Sequence, residues 1–156
     1  MTTAQVLAFA VLAVPGFTAC AEFGSYAFVH PVVKRLDVAA HIQVEQGLVR
    51  TFGRAMPPLM TLSLALVIIW GTTTEAVPVE LRAVAIGSWS FGLVTTILVN
   101  VGINARTAGW VAEQEPGRWR DMRQRWETFQ AIRSWAFLVS FLLVAAGTAA
   151  HVTHSG

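Results

Sequence analysis

The basic residues of this chain are confined to short segments, and long apolar stretches separate them. Ten of the eleven basic residues lie within residues 34–54 and 106–133, and Arg82 is the exception. Residues 55–74 and 83–105 carry no charge. A bilayer imposes this alternation on a chain that crosses it several times, because charges are costly in hydrocarbon.

Four apolar stretches approach or exceed the length of about 20 residues that one bilayer crossing takes. They cover about residues 4–29, 55–71, 83–103 and 131–151. Only 13% of the residues are charged, whereas about a quarter is usual in soluble domains. We therefore predict an all-α integral membrane four-helix bundle that forms a single domain over residues 1–156. An unusually apolar soluble bundle is the alternative, but it does not account for four spans this long.

The basic residues also predict the orientation of the chain. Residues 30–54, between the first two spans, include four of them, and residues 106–130, between the last two, include five. The positive-inside rule places both connections in the cytoplasm, and both termini outside the cell membrane. We expect the lipid bilayer as partner and no nucleic acid, because the basic residues flank apolar spans. A homo-oligomer is compatible with the sequence.

Helical patterns continue through both basic connections. Asp37 is a suitable N-cap, so a second helix is predicted over residues 38–71, with a kink at Pro57-Pro58. A fourth helix is predicted from Pro116 to about residue 150. Both long helices would extend into the cytoplasm, each in a hairpin with a shorter helix. The first helix is expected to end at His30, since Pro31 follows it.

Three polar residues share one face of the first predicted helix. Glu22 lies well inside the span, with Tyr26 one turn and His30 two turns closer to the cytoplasm. A charged group within a span is costly, so we treat it first as a candidate functional group. The alternatives are a paired Glu22 that fixes helix packing, and a His30 that compensates the helix dipole.

His41 and Glu45 are spaced i, i+4, which suits either two metal ligands or an ordinary side-chain pair. The metal prediction is weak, because no third ligand is evident. We expect no cofactor, and His30, His41 and Glu45 leave metal or haem binding open.

The second half of the chain has two further i, i+4 pairs. Asn100 and Asn104 can orient a substrate carbonyl or hydroxyl, or bond across helices. Arg123 and Glu127 are predicted to form a structural salt bridge, and Arg133 follows at the entry to the membrane. Because these residues come from all four helices, we predict one polar pocket at the cytoplasmic mouth of the bundle.

Several short segments along the chain form a set of motifs. They are Ala21-Glu22-Phe23-Gly24, His30-Pro31, Phe52-Gly53-Arg54-Ala55-Met56-Pro57, Asn100-Val101-Gly102-Ile103-Asn104, and Arg125-Trp126-Glu127 with Arg133. Together they resemble the anthrone oxygenase-like family of small four-helix membrane proteins. The resemblance runs in order along nearly the whole chain.

The resemblance implies an oxygenase-like oxidoreductase that binds a hydrophobic small molecule, an aromatic substrate of the anthrone or polyketide type. His30 or Glu22 would deprotonate it, and Asn100, Asn104 and Arg133 would stabilise the oxyanion. Tyr26 would be a further substrate contact. The sequence leaves two other functions open. One is a non-enzymatic membrane module: a small-molecule binder, a transporter component or a partner-binding subunit. The other is a metal- or haem-binding redox protein.

Overall fold

A computed structural model describes residues 2–111 and 116–154, and the regular elements in these ranges are all helical. This confirms the predicted all-α class. We number five helices in chain order. They are α1 (Thr3–Val33), α2 (Val38–Arg50), α3 (Phe52–Thr73), α4 (Val79–Ala108) and α5 (Pro116–His154).

Four of the helices, α1, α3, α4 and α5, are long and apolar enough to cross a membrane. Their outer surface is apolar as well, which is the reverse of a soluble bundle. Large side chains that are more than half exposed include Phe9, Phe17, Phe28, Leu98 and Leu142. The chain is therefore a multi-pass membrane protein, as the sequence predicted.

The four spans pack in a closed ring. The helix α1 lies against α3 and α5, and α4 also lies against α3 and α5. The ring thus consists of two hairpins, α1 with α3 and α4 with α5. We call the end of the bundle where α1 and α4 finish and α3 and α5 begin the basic end, because ten of the eleven basic residues are near it.

Close helix contacts in the core depend on small residues. A Cβ atom added to Gly92 would lie 2.6 Å from the ring of Phe137, so only glycine lets α4 approach α5 this closely. Next to it, Trp89 packs 4.6 Å from Phe137 between ring centroids. The indole N–H of Trp89 donates to the carbonyl of Met60 at 2.9 Å, which ties α4 to α3.

The predicted second helix is broken, and the break is not at the prolines. It falls at Thr51, which separates α2 from α3, and Pro57 and Pro58 lie inside α3. A proline lacks the N–H that would bond four residues back, so the carbonyls affected are those of the first turn of α3. The two prolines thus weaken the hydrogen bonding of the first turn of α3 without ending the helix.

The first helix does not end at His30 but continues to Val33. It passes through a π-helical segment, Ser25–Val29, in which His30 donates its backbone N–H to the carbonyl of Ser25. The missing N–H of Pro31 falls directly after this wider turn, so the proline is tolerated within the helix. A second π-helical segment, Thr96–Asn100, interrupts α4. Such segments are rare and often occur at functional sites.

The short helix α2 closes the basic end. Gln46 on α2 donates its side-chain N–H to the carbonyls of Thr107 and Trp110, at 3.2 and 2.9 Å, which fixes α2 to the end of α4. The predicted long fourth helix is confirmed, since α5 has 39 residues. That is about 58 Å at 1.5 Å per residue, well beyond one bilayer.

Candidate functional site

A cavity of about 310 Å³ lies among the helices near the basic end. This volume is at the lower limit of small-molecule pockets, which range over about 300–1,000 Å³. One wall, from the end of α2 and the beginning of α3, is apolar. It consists of Leu48, Val49, Phe52, Gly53, Met56, Pro57 and Met60. The other walls are largely polar and include Glu22, Ser25, His30, Glu45, Thr96, Asn104, Gln130 and Arg133.

The deepest polar group is Glu22, whose side chain is completely buried. Its Oε2 lies 2.9 Å from Nη2 of Arg133 and accepts a hydrogen bond of 2.9 Å from Nε2 of Gln130. Nη1 of Arg133 lies 3.4 Å from Oγ1 of Thr96. A buried carboxylate needs this kind of pairing, since an isolated charge in such surroundings is very costly.

A second ionic cluster closes the cavity beneath α2. The Oε1 atom of Glu45 lies 2.6 Å from Nη2 of Arg123, 3.2 Å from Nδ1 of His30 and 3.5 Å from Nε2 of His41. Glu45 is only 2% exposed. The cluster therefore joins α1, α2 and α5 through one buried carboxylate.

The surroundings of Glu45 keep this carboxylate ionised. Burial alone would raise its pKa, but the polar contacts of His30 and His41 and the charge of Arg123 outweigh burial. Together they lower the pKa of Glu45 to about 2. At neutral pH a negative charge thus faces the imidazole of His30.

Trp126 connects the two ionic clusters. Its ring centroid lies 4.1 Å from the guanidinium carbon of Arg123 and 5.9 Å from that of Arg133. The ring of His30 packs against it at 4.6 Å. Such cation–π contacts hold the arginines over an apolar surface without exposing them to water.

Most of the residues predicted for the pocket converge on this cavity. Glu22, His30, Glu45, Asn104 and Arg133 line it. Asn100 is buried behind the wall, and its Nδ2 donates to the carbonyl of Trp126 at 3.5 Å. It therefore bonds across helices instead of facing a ligand.

Tyr26 is not among the residues that line the cavity. It is half-buried, and its ring packs edge-on against Phe23 at 6.1 Å. The prediction assumed a regular helix, in which eight residues advance about 80° beyond two full turns. The π-helical turns have more residues per turn, which shifts the faces of α1 and leaves Glu22 and His30, without Tyr26, on the cavity side.

The predicted bridge between Arg123 and Glu127 is replaced by two bridges between helices. Arg123 is 2% exposed and faces Glu45, whereas Glu127 pairs with Lys34 at the end of α1. The physical reason is burial, because an unpaired Glu45 in the interior would cost more than an unpaired Glu127 near the surface.

The predicted metal ligands adopt a different arrangement. Among the side chains that the structure describes, no three of His, Cys, Asp or Glu form a group that could hold a metal ion. His41 packs edge-on against Trp119 at 5.5 Å, and the guanidinium of Arg123 occupies the oxygen of Glu45 that both histidines approach. Metal and haem binding remain untested predictions.

Three partners of the buried pair Glu22 and Arg133 were not predicted. Gln130 and Thr96 are described above, and Ser134 donates its hydroxyl to the backbone carbonyl of Glu22 at 3.2 Å. The spacing of Gln130, Arg133 and Ser134 is i, i+3, i+4, which places all three on one helix face. A polar face at the start of an apolar span was the sequence feature that could have indicated these contacts.

Several buried polar atoms on residues that line the cavity have no hydrogen-bond partner among the described residues. They include the acceptor oxygens Oε1 of Glu22, Oε1 of Gln130 and Oδ1 of Asn104, and the donor Nε of Arg133. Buried polar groups are nearly always bonded in proteins. The polar side of the cavity therefore has hydrogen-bonding capacity that its own residues leave unused.

Fold and cavity together define a class: multi-pass helical membrane proteins that enclose a polar cavity beneath a helical cap. A sequence model of the anthrone oxygenase family matches residues 48–143, which is more than half of the chain. The protein belongs to the anthrone oxygenase family, as its short motifs predicted. The matched range contains Asn104, Gln130 and Arg133, whereas Glu22 and His30 precede it. No curated protein and no solved structure matches the chain.

Proposed function

We propose that the protein is a membrane-embedded, oxygenase-like enzyme that oxidises a hydroxylated, anthrone-type aromatic ketone. The observation that carries this proposal is the cavity itself. One wall is apolar and suits a flat aromatic body, while the other walls hold buried, paired charges and free acceptor oxygens. Membership of the anthrone oxygenase family supports the reaction class, although a family name alone assigns no substrate.

His30 is the proposed base. Its Nδ1 lies 3.2 Å from the anionic Glu45, which favours the tautomer with a proton on Nδ1 and a free lone pair on Nε2. His30 lines the cavity, so this lone pair can take a proton from a bound substrate. Glu22 is a poorer base, because Arg133 and Gln130 already occupy one of its oxygens.

Arg133 is the proposed stabiliser of negative charge. It lines the cavity, and its Nε has no partner among the described residues. Removing a proton from the methylene carbon of an anthrone places charge on the ketone oxygen. A preorganised cation beside that oxygen lowers the barrier more than water does, because it needs no reorganisation.

The proposed reaction balances with O2 as the only oxidant. The methylene C–H proton goes to His30, and the carbanion bonds to O2 to give a hydroperoxide once it is protonated. Loss of the second methylene hydrogen together with hydroxide breaks the O–O bond. One anthrone and one O2 thus give one anthraquinone and one water.

We further propose that the basic end faces the cytoplasm, with both termini outside the cell membrane. The distribution of Lys and Arg supports this orientation. The cavity would then be near the cytoplasmic surface.

Purified protein in lipid nanodiscs, supplied with anthrone and ¹⁸O2, tests the reaction. We expect protein-dependent O2 uptake, one O2 per anthrone, and one labelled oxygen in the anthraquinone. Nanodiscs without protein provide the background rate of autoxidation. Uptake that does not exceed this background, with anthrone and with its hydroxylated derivatives, would overturn the proposal.

A further inference from the structure

The basic end of the cavity is closed by α2, which is fixed to three other helices. Glu45 joins α2 to α1 and α5 through His30 and Arg123. Gln46, the next residue, joins it to α4 through two hydrogen bonds to backbone carbonyls. A ligand that came from the aqueous side would have to break a buried ionic cluster.

The exposed residues of the cavity wall lie elsewhere, on α3 and α4. Of the lining residues, Pro57 on α3 and Val101 on α4 are exposed, Val101 by 49%. The lining residues on α5, namely Trp126, Gln130 and Arg133, are all buried. The cavity therefore reaches the surface through the side of the bundle.

The surface around this side opening is apolar. Val101 follows Ile97 and Leu98, which are 58% and 76% exposed. On α3 the nearest basic residue is Arg54, three residues before Pro57. On α4 it is Arg106, five residues after Val101. At 1.5 Å per residue the opening is about 5–8 Å deeper in the membrane than these charges. It thus faces the hydrocarbon boundary of the bilayer, where charged solutes are excluded.

The backbone on both sides of the opening departs from regular helix. On α3 the break at Thr51 precedes Gly53, which has no side chain to fill the gap and lines the cavity. On α4 the π-helical segment Thr96–Asn100 directly precedes Val101. Both irregularities lie beside lining residues, whereas α3 and the part of α4 before Thr96 pack together.

We infer that the ligand is dissolved in the bilayer and enters sideways between α3 and α4, through the opening framed by Gly53, Pro57 and Val101. This inference deepens the proposed function, because it restricts the substrate to uncharged, lipid-soluble aromatic molecules. Such a ligand loses little solvation on entry, since it moves from hydrocarbon to the apolar wall of the cavity. Its polar groups then face the polar residues of the opposite wall.

Blocking the opening after the protein has folded tests this route. In a Cys20→Ser background, Val101→Cys provides a single thiol at the opening, and Leu98→Cys provides the matched control on the same lipid-facing side of α4. Leu98 is more exposed than Val101 and does not line the cavity. Each protein in nanodiscs is compared before and after reaction with N-benzylmaleimide, so that folding is the same in both samples.

The probe is 1-aminoanthracene, an uncharged three-ring aromatic amine that partitions into bilayers. Stopped-flow energy transfer from tryptophan to the probe gives the association and dissociation rates. We expect the label on Val101→Cys to slow both rates at least about tenfold, while the dissociation constant changes less, because a blocked path affects rates more than affinity. Labelled Leu98→Cys should keep its rates.

Two results would overturn the inference: unchanged rates in labelled Val101→Cys, or no saturable binding of the probe. The rival route has its own signature. If ligands enter at the basic end, Gln46→Ala, which releases α2 from α4, should speed association, and we expect no such effect. The probe has no methylene group to oxidise, so its binding kinetics test the route of entry independently of the reaction. If the label slows probe binding but anthrone causes no O2 uptake, the proposed reaction is wrong and the proposed route is still supported.

Discussion

The carboxylate of Glu22 on α1 and the guanidinium of Arg133 on α5 meet at 2.9 Å in the interior of the bundle. Both side chains are nearly inaccessible, with exposures of 0% and 5%. Neither charge has another ion-pair partner among the described residues. The pair therefore fixes the register of α1 against α5 and at the same time forms part of the cavity wall.

Loss of either member of this pair should be strongly destabilising. We expect Glu22→Ala and Arg133→Ala each to reduce the free energy of unfolding by about 3–5 kcal/mol, because each leaves a buried charge without a partner. The double variant should lose much less than the sum. Unfolding in mixed micelles with increasing denaturing detergent measures these differences.

Arg118→Ala is the matched control for this experiment, since Arg118 is an exposed arginine on the same helix. It should change stability by less than about 0.5 kcal/mol. Additive losses in the double variant would show that Glu22 and Arg133 are not energetically coupled.

Acid should weaken the cluster at the basic end. The pKa of Glu45 is lowered in the folded protein from 4.5 to about 2. Its contribution to stability is therefore present above about pH 4.5 and is lost as the pH falls toward 2. The full contribution is on the order of 3 kcal/mol, from 1.36 kcal/mol per pKa unit.

Thermal unfolding in detergent at a series of pH values measures this contribution. The stability difference between the native protein and Glu45→Gln should shrink as the pH falls through this range. Glu75→Gln, at an exposed turn, should follow the native curve. A difference between the native protein and Glu45→Gln that is independent of pH would contradict the assignment.

Two glycines on α4 provide a test of helix packing. A Cβ on Gly92 would lie 2.6 Å from the ring of Phe137, whereas nothing lies within 4 Å of a Cβ on Gly87. We expect Gly92→Ala to destabilise by about 1–3 kcal/mol through overpacking. Gly87→Ala should be neutral or stabilising, because alanine favours helix by about 1 kcal/mol. Equal effects in the two unfolding curves would argue against close contact of α4 and α5.

Much of this architecture follows from the sequence alone. The spans, the hairpins and the long fourth helix follow from charge and hydropathy, which depend only on local composition. Glu22, His30 and Arg133 were predicted at one pocket because polar residues from all four helices fall toward the same end of the bundle. These inferences require no knowledge of exact helix phase.

The details that depend on helix phase were not predictable. The π-helical segments in α1 and α4 are set by packing, and the segment in α1 decides that Tyr26 does not face the cavity. The pairing of Arg123 with Glu45 has the same origin, because the position of α2 depends on the break at Thr51. Periodicity within one helix contains no information about which neighbouring helix supplies a partner.

The proposed orientation can be tested with reporter fusions in a bacterial host. Because ten of the eleven basic residues are near one end of the bundle, the C-terminus should be outside. Alkaline phosphatase fused after residue 156 should be active, and a green fluorescent protein at the same position should be dark. The reverse pattern would place the basic end outside the cell.

The central claim is that His30 removes a proton from a lipid-soluble aromatic ligand in the cavity. The most direct test compares His30→Phe with His41→Phe, since both histidines approach Glu45 but only His30 lines the cavity. Anthraquinone formation by each variant in nanodiscs is measured above the protein-free rate. We predict a loss of about 10²–10⁴-fold for His30→Phe, the usual contribution of a general base, and less than about tenfold for His41→Phe. Equal rates in the two variants would contradict the account.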